Sequence, residues 1–134
     1  MSRENVEAVR RGVEAFVAGD WETWFEGFDA EVEWEETAGL GPDAGTYRGI
    51  EEVRAAVTSW TTMWTDYKFQ VHDYIDAGDD EVVVLAQERG RGRGTGATVE
   101  RELGEVLTLR DGMLIRARLY GSWAEALAAA DLQE

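Results

Sequence analysis

The sequence predicts one α+β domain over residues 1–134, in which a curved mixed or antiparallel sheet wraps around N-terminal helices to form a cone with an internal pocket. Three observations predict it. Apolar residues recur at helical spacing only in the first half of the chain and at its extreme end. From Tyr67 onward alternation takes over, broken by glycine and aspartate turns. Six tryptophans exceed what a minimal core of 134 residues needs, and an aromatic-lined hollow explains the excess.

The elements follow in order. Ser2 can cap a first helix whose Val6, Val9, Val13, Phe16 and Val17 form one stripe ending at Gly19. Asp20 reads as the cap of a short second helix carrying Trp21, Trp24, Phe25 and Phe28, dense enough to be a wall of the pocket. Alternation from Glu31 to Thr37 gives a strand with Val32 and Trp34 on one side. Residues 38–49, with four glycines and the sole proline, read as a loop at the rim. Ile50, Val53, Val57, Trp60 and Trp64 step by three and four, which predicts a third helix. Strands are expected over Tyr67–Ala77, Glu81–Arg91, Val99–Arg110 and Met113–Gly121. Turns at Gly78-Asp79-Asp80 and Asp111-Gly112 join them into a four-stranded meander. Ser122 and Glu125 form a capping box for a last helix over Trp123–Ala130.

Composition removes several function classes. With 13 basic and 28 acidic side chains the net charge is −15, which opposes nucleic acid and anionic membranes and is read as a solvated surface. No apolar run approaches the roughly 18 residues of a membrane span, and the charged start is unlike a secretion signal, so a cytoplasmic location is expected. There is no cysteine and one histidine, His72, so no metal site and no cofactor are expected.

The candidate chemistry lies with carboxylates. Glu105 shares strand parity with Leu103, Leu107 and Leu109, so its carboxyl points toward the apolar side, where burial raises the pKa into a range useful for proton transfer. Glu36, at the end of the first strand beside the glycine-rich loop, is a second carboxylate for a pocket mouth. Two carboxyls in unlike environments are what an acid and a base require. Gln87 and Arg89 share parity with Val83 and Leu85 and are candidates for binding a carbonyl oxygen. The opposite parity, Val82, Val84 and Ala86, is equally apolar, and the strand's direction stays open. Trp34, Trp60, Trp64, Leu103, Leu107, Ala117 and Leu119 complete the expected ligand wall. The alternative to catalysis is a binding domain in which Glu105 is paired with Arg89. A homodimer is expected through the sheet's second face, where Arg116, Arg118 and Tyr120 alternate with Ile115, Ala117 and Leu119.

The order of elements, with "AFVAGDWETWFEGF", "AEVEWEET", "YRGIEEVRAAV", "DAGDDEVVVL" and "LRDGMLIRARLYGSWAEALAAADL", resembles the superfamily of SnoaL-like polyketide cyclases, ketosteroid isomerase and nuclear-transport-factor-2-like proteins. The resemblance implies a cystatin-like α+β roll, a dimer across the outer sheet face, and a small apolar or carbonyl-containing ligand. It further implies isomerisation, cyclisation or dehydration by carboxylate proton transfer. Glu36 and Glu105 match the isomerase's base and its second carboxyl. The position that matches its oxyanion-hole tyrosine is Gly12.

Overall fold

The computed structural model describes residues 2–40 and 44–132, Ser2 by its backbone alone. The capping role read for the Ser2 hydroxyl and the loop's Pro42 therefore lie outside the described residues. The chain is α+β, with four helices and one six-stranded, curved, unclosed sheet among the described residues.

Helix α1 spans Ser2–Val17 and turns its Val9 and Val13 into the core. It ends where Gly19 takes φ +82°, a conformation open to glycine at little cost, which lets Asp20 N–H bond back to Ala15 O at 2.8 Å. Helix α2, Trp21–Glu26, is capped by Asp20, whose carboxylate accepts from Thr23 N at 3.2 Å and Thr23 Oγ1 at 2.6 Å. Those bonds hold the Asp20 carboxyl below its ordinary value. Strand β1 covers Phe28–Glu36 and so begins three residues before the expected start. Phe28 opens the strand because its ring packs between Phe25 and Trp34, and it does not prolong the helix.

Strand β2, Gly45–Arg48, occupies part of the region read as loop. It pairs antiparallel with β1 from Glu33↔Arg48 to Glu36↔Gly45. Four residues beginning in a glycine-rich stretch carry too little alternation to announce a strand. Helix α3, Gly49–Thr62, buries Val53 and Val57. It stops short of Trp64, which instead opens strand β3, Trp64–Gly78, opposite Gly92.

Strands β4 (Glu81–Gly92), β5 (Thr98–Arg110) and β6 (Met113–Tyr120) complete the expected meander, and helix α4 covers Trp123–Ala129. Positive φ at Asp79, Asp80, Asp111 and Gly112 makes the two hairpin turns, as the dipeptides require. The sheet order is β2-β1-β6-β5-β4-β3, with β1 parallel to β6 and the other pairs antiparallel. The sheet is therefore mixed.

Both faces of the central strands are covered. Val82, Val84, Ala86, Leu103 and Leu107 meet α1, α2 and α3 on the concave side. Val83, Leu85 and Val106 meet Ala126 and Leu127 of α4 on the other. Gly104 is what lets α4 sit so close: a Cβ there would lie 2.4 Å from Ala126 Cβ and 3.0 Å from Ser122 O. Gly104→Ala is accordingly expected to cost about 1–3 kcal/mol, the usual scale of overpacking. The urea midpoint checks this, and an unchanged midpoint would mean that α4 shifts freely.

Candidate functional site

The concave face of the sheet is ordered in transverse rows, because register, not sequence distance, decides which side chains become neighbours. Glu36 of β1 and Glu105 of β5 both pair with Leu119 of β6. The row continues through Val84 to Tyr74. The two carboxylate-bearing backbones thus stand two strand spacings apart, on the order of 10 Å. A second row runs Phe69, Glu88, Arg101, and a third Trp34, Ala117, Leu107, Val82.

Above these rows lies a cavity of about 170 Å³. Its apolar wall includes Val13, Phe16, Trp24, Trp34, Leu103 and Leu119; its polar groups include Glu36, Tyr67, Glu88, Arg101 and Glu105. A smaller cavity of about 60 Å³ adjoins it beneath α1 and shares Val13, Trp24, Trp34 and Glu105 with it.

The carboxyls in the main cavity differ in environment. Glu88 is buried and accepts from three donors: Arg101 Nε at 2.8 Å, Trp60 Nε1 at 3.1 Å, and the Tyr67 hydroxyl in a short bond. The Arg101 guanidinium also lies over the Trp60 ring at 4.2 Å and donates from Nη1 to Leu40 O at 3.2 Å. Glu88 is therefore a charge held in place by its partners. Burial and the Glu88 charge together push the Tyr67 hydroxyl well above the usual phenol range. Glu36 accepts from Trp34 Nε1 at 3.1 Å.

Glu105 is different again: it is buried among apolar side chains, and no donor among the described residues hydrogen-bonds its carboxyl. Burial, and secondarily the Glu88 charge, push it up to about 8. At neutral pH it carries its proton and offers an O–H to the cavity.

This has a consequence for stability. The Glu105 carboxyl ionises near 8 when folded against 4.5 in an unperturbed chain, so across that interval the folded state keeps a proton that the unfolded state has lost. Stability should fall as pH rises from about 4.5 to about 8, by up to about 1.4 kcal/mol per pH unit, and flatten above. Glu105→Gln should remove that slope. Chemical denaturation of both proteins at pH 5.5 and 8.5 checks it; parallel losses would contradict it.

Of the residues expected at the site, Glu36, Trp34, Trp60, Leu103, Glu105 and Leu119 line the main cavity, and Leu107 lines the smaller one. Ala117 is fully buried in the core between Trp34 and Leu107. Trp64 stands apart from the main cavity, packed on Trp60 and over Gly90, because the helix that would have aimed it inward has already ended. Gln87 and Arg89 are corrected: they lie on the convex face, exposed, and Arg89 pairs loosely with Glu100 at 3.7 Å. Their grouping with Val83 and Leu85 stands. The direction reverses because α4 covers that parity, and α4 is distant in sequence. The same reversal brings Glu88 inward. Arg101 shares parity with Leu103 and Glu105 on β5, and Tyr67 with Phe69 on β3, so alternation alone puts both on the cavity side; no local signal shows that they meet on Glu88.

Among the described residues no helix is long and apolar enough to cross a membrane, and no group of three or more His, Asp or Glu side chains converges so as to hold a metal ion.

A family model described as a SnoaL-like domain matches residues 9–117. Among solved structures, the chain is similar to Bal32a, from a soil-derived mobile gene cassette, at 26% identity and TM-score 0.80 over 89% of each chain. It is likewise similar to an NTF2-like protein from Burkholderia thailandensis at 26% identity and TM-score 0.80, over 96% of this chain and 98% of that one. A Xanthomonas campestris protein with a cystatin-like fold, 20% identical, superposes at TM-score 0.76 over 96% of this chain and 98% of that one. No curated protein sequence matches the chain.

Proposed function

The chain belongs to the SnoaL-like domain family, and on that premise we propose that its cavity binds a small, largely apolar carbonyl compound and moves a proton at the carbon beside the carbonyl. The observation that carries the proposal is the pairing of unlike carboxyls in one sheet row: Glu105 protonated and without a partner among the described residues, and Glu36 near the cavity's other wall.

In the proposed step, the Glu105 O–H donates to the carbonyl oxygen while a carboxylate oxygen of Glu36 takes the proton from the adjacent carbon. The C–H electron pair becomes a carbon–carbon double bond, and the carbonyl π pair moves to oxygen, which receives the Glu105 proton. Returning the proton to the same carbon gives exchange; returning it further along a conjugated system gives isomerisation. Apolar walls serve both ends of this chemistry, since they keep Glu105 neutral and strengthen its hydrogen bond to the developing oxyanion. Glu88, held by Arg101, Trp60 and Tyr67, is a fixed charge in the wall that favours the protonated state of Glu105.

The test needs no natural substrate. Phenylacetone in deuterium oxide should incorporate deuterium at the methylene between its ring and its carbonyl faster with the protein than with buffer alone, with the protein-dependent rate declining above pH 8 as Glu105 ionises. Failure to accelerate exchange with this or other arylmethyl ketones at any pH would remove the catalytic part of the reading.

The reading also includes a homodimer through the convex sheet face, where Arg116 and Arg118 stand on β6 beside Tyr120, which packs against the α4 cluster of Ala126 and Leu127. Sedimentation at micromolar concentration should give twice the chain mass of 15.0 kDa; a monomer would contradict it.

A further inference from the structure

The smaller cavity asks for an account of its own. It lies on the far side of Trp24 and Trp34 from the main one, and Glu105 lines both. Its roof is Gly12, in the interior of α1, where glycine costs a helix about 1 kcal/mol relative to alanine. Packing does not require the glycine. A Cβ built there would meet only Trp24 Cδ1, at 3.5 Å, an ordinary contact. The backbone does not require it either, since Gly12 is absent from the residues of positive φ. What Gly12 leaves is space, and that space abuts the buried carboxyl.

Resting on the reading above, we propose that the Gly12 chamber is a second subsite, taking a short alkyl arm of the ligand, so that the substrate class is an unsymmetrical carbonyl compound. The larger apolar group, with the carbon that yields its proton to Glu36, occupies the main cavity, the carbonyl sits at Glu105, and an arm of one to three carbons points under α1. The volumes fit this division. About 170 Å³ accommodates a ring, since apolar cavities of about 150 Å³ accept benzene, and about 60 Å³ leaves room for a few carbons. The lining fits it too, because Ala8, Val9, Leu107, Leu109 and Leu114 offer an alkyl arm apolar surface, and Glu105, engaged with the carbonyl, is the one ionisable side chain among the described residues that line the chamber.

The experiment is a binding series with benzaldehyde, acetophenone, propiophenone and butyrophenone, which share the ring and the carbonyl and differ in the arm. Shifts of the Trp24 and Trp34 indole N–H resonances supply the readout. In the wild-type protein each added carbon should tighten binding by about fourfold until the chamber is full. Gly12→Val should abolish that gain and leave benzaldehyde affinity unchanged. Gly12→Ala, which fits without a clash and favours the helix, should trim the gain for the longest arm only. If wild-type affinity is indifferent to the arm while benzaldehyde binds, or if the gain survives in Gly12→Val, the subsite is refuted and the main-cavity reading stands. If benzaldehyde itself does not bind, the main-cavity reading fails and the subsite with it.

Discussion

Replacing Glu105 by glutamine is expected to slow protein-dependent deuterium exchange into phenylacetone by at least about a hundredfold at pH 7, with ketone affinity changed by no more than a few fold. General acid–base groups contribute on the order of 10²–10⁴ to rate, and glutamine keeps the shape and a hydrogen-bond donor while removing the transferable proton. Ligand binding should survive because the cavity's area is apolar and belongs to neighbours such as Phe16, Trp24, Leu103 and Leu119. The variant should also fold more stably than the parent at pH 8, since it no longer has to keep a carboxyl neutral out of water. A loss of rate with higher stability separates a chemical role from a structural one. An exchange rate equal to the parent's would leave the cavity a binding site and Glu105 a bystander.

Arg101→Ala is expected to be the most destabilising single change at the site, by about 3 kcal/mol. It strips the 2.8 Å charge-assisted bond from buried Glu88 and uncovers the Trp60 ring. Breaking a buried pair by removing one partner costs roughly 3–5 kcal/mol. The lower end applies because the Arg101 side chain keeps 26% of its exposure and the Trp60 and Tyr67 donors remain on Glu88. Arg89→Ala, in a pair whose side chains are 63% and 58% exposed, should change stability by no more than about 0.5 kcal/mol. Urea denaturation of the two variants side by side decides the matter. Equal losses would mean that the Glu88 network contributes nothing beyond a surface ion pair.

These two arginines also mark where sequence reasoning reached its limit. Period and turn chemistry are local properties, so α1, α3, the β3 to β6 meander and the Ser122 cap of α4 could be read directly from residue spacing. Boundaries moved where a tertiary contact outweighed the local pattern, as at Phe28, held by Phe25 and Trp34, and at Trp64, drawn into β3. Strand β2 was too short and too glycine-rich to carry a pattern, and it exists because β1 offers it an edge.

For the site, the inward direction of Glu105 was legible because its parity of β5 sets one carboxyl among Leu103, Leu107 and Leu109, whereas the other parity carries Glu102, Gly104, Thr108 and Arg110 around the single Val106. The direction of β4 was not, because Val82 to Ala86 is apolar on both parities. A strand buried on both faces carries no internal label for which face meets the ligand. Only the docking of α4 against Val83 and Leu85, made possible by the missing side chain at Gly104, turned Glu88 inward and Arg89 outward. Sequence alone thus determined the elements and the buried carboxyl, which depend on neighbours along the chain. The tertiary structure decided which charges surround that carboxyl and how much room lies beside it, because both depend on residues brought together only by the closure of the sheet around its helices.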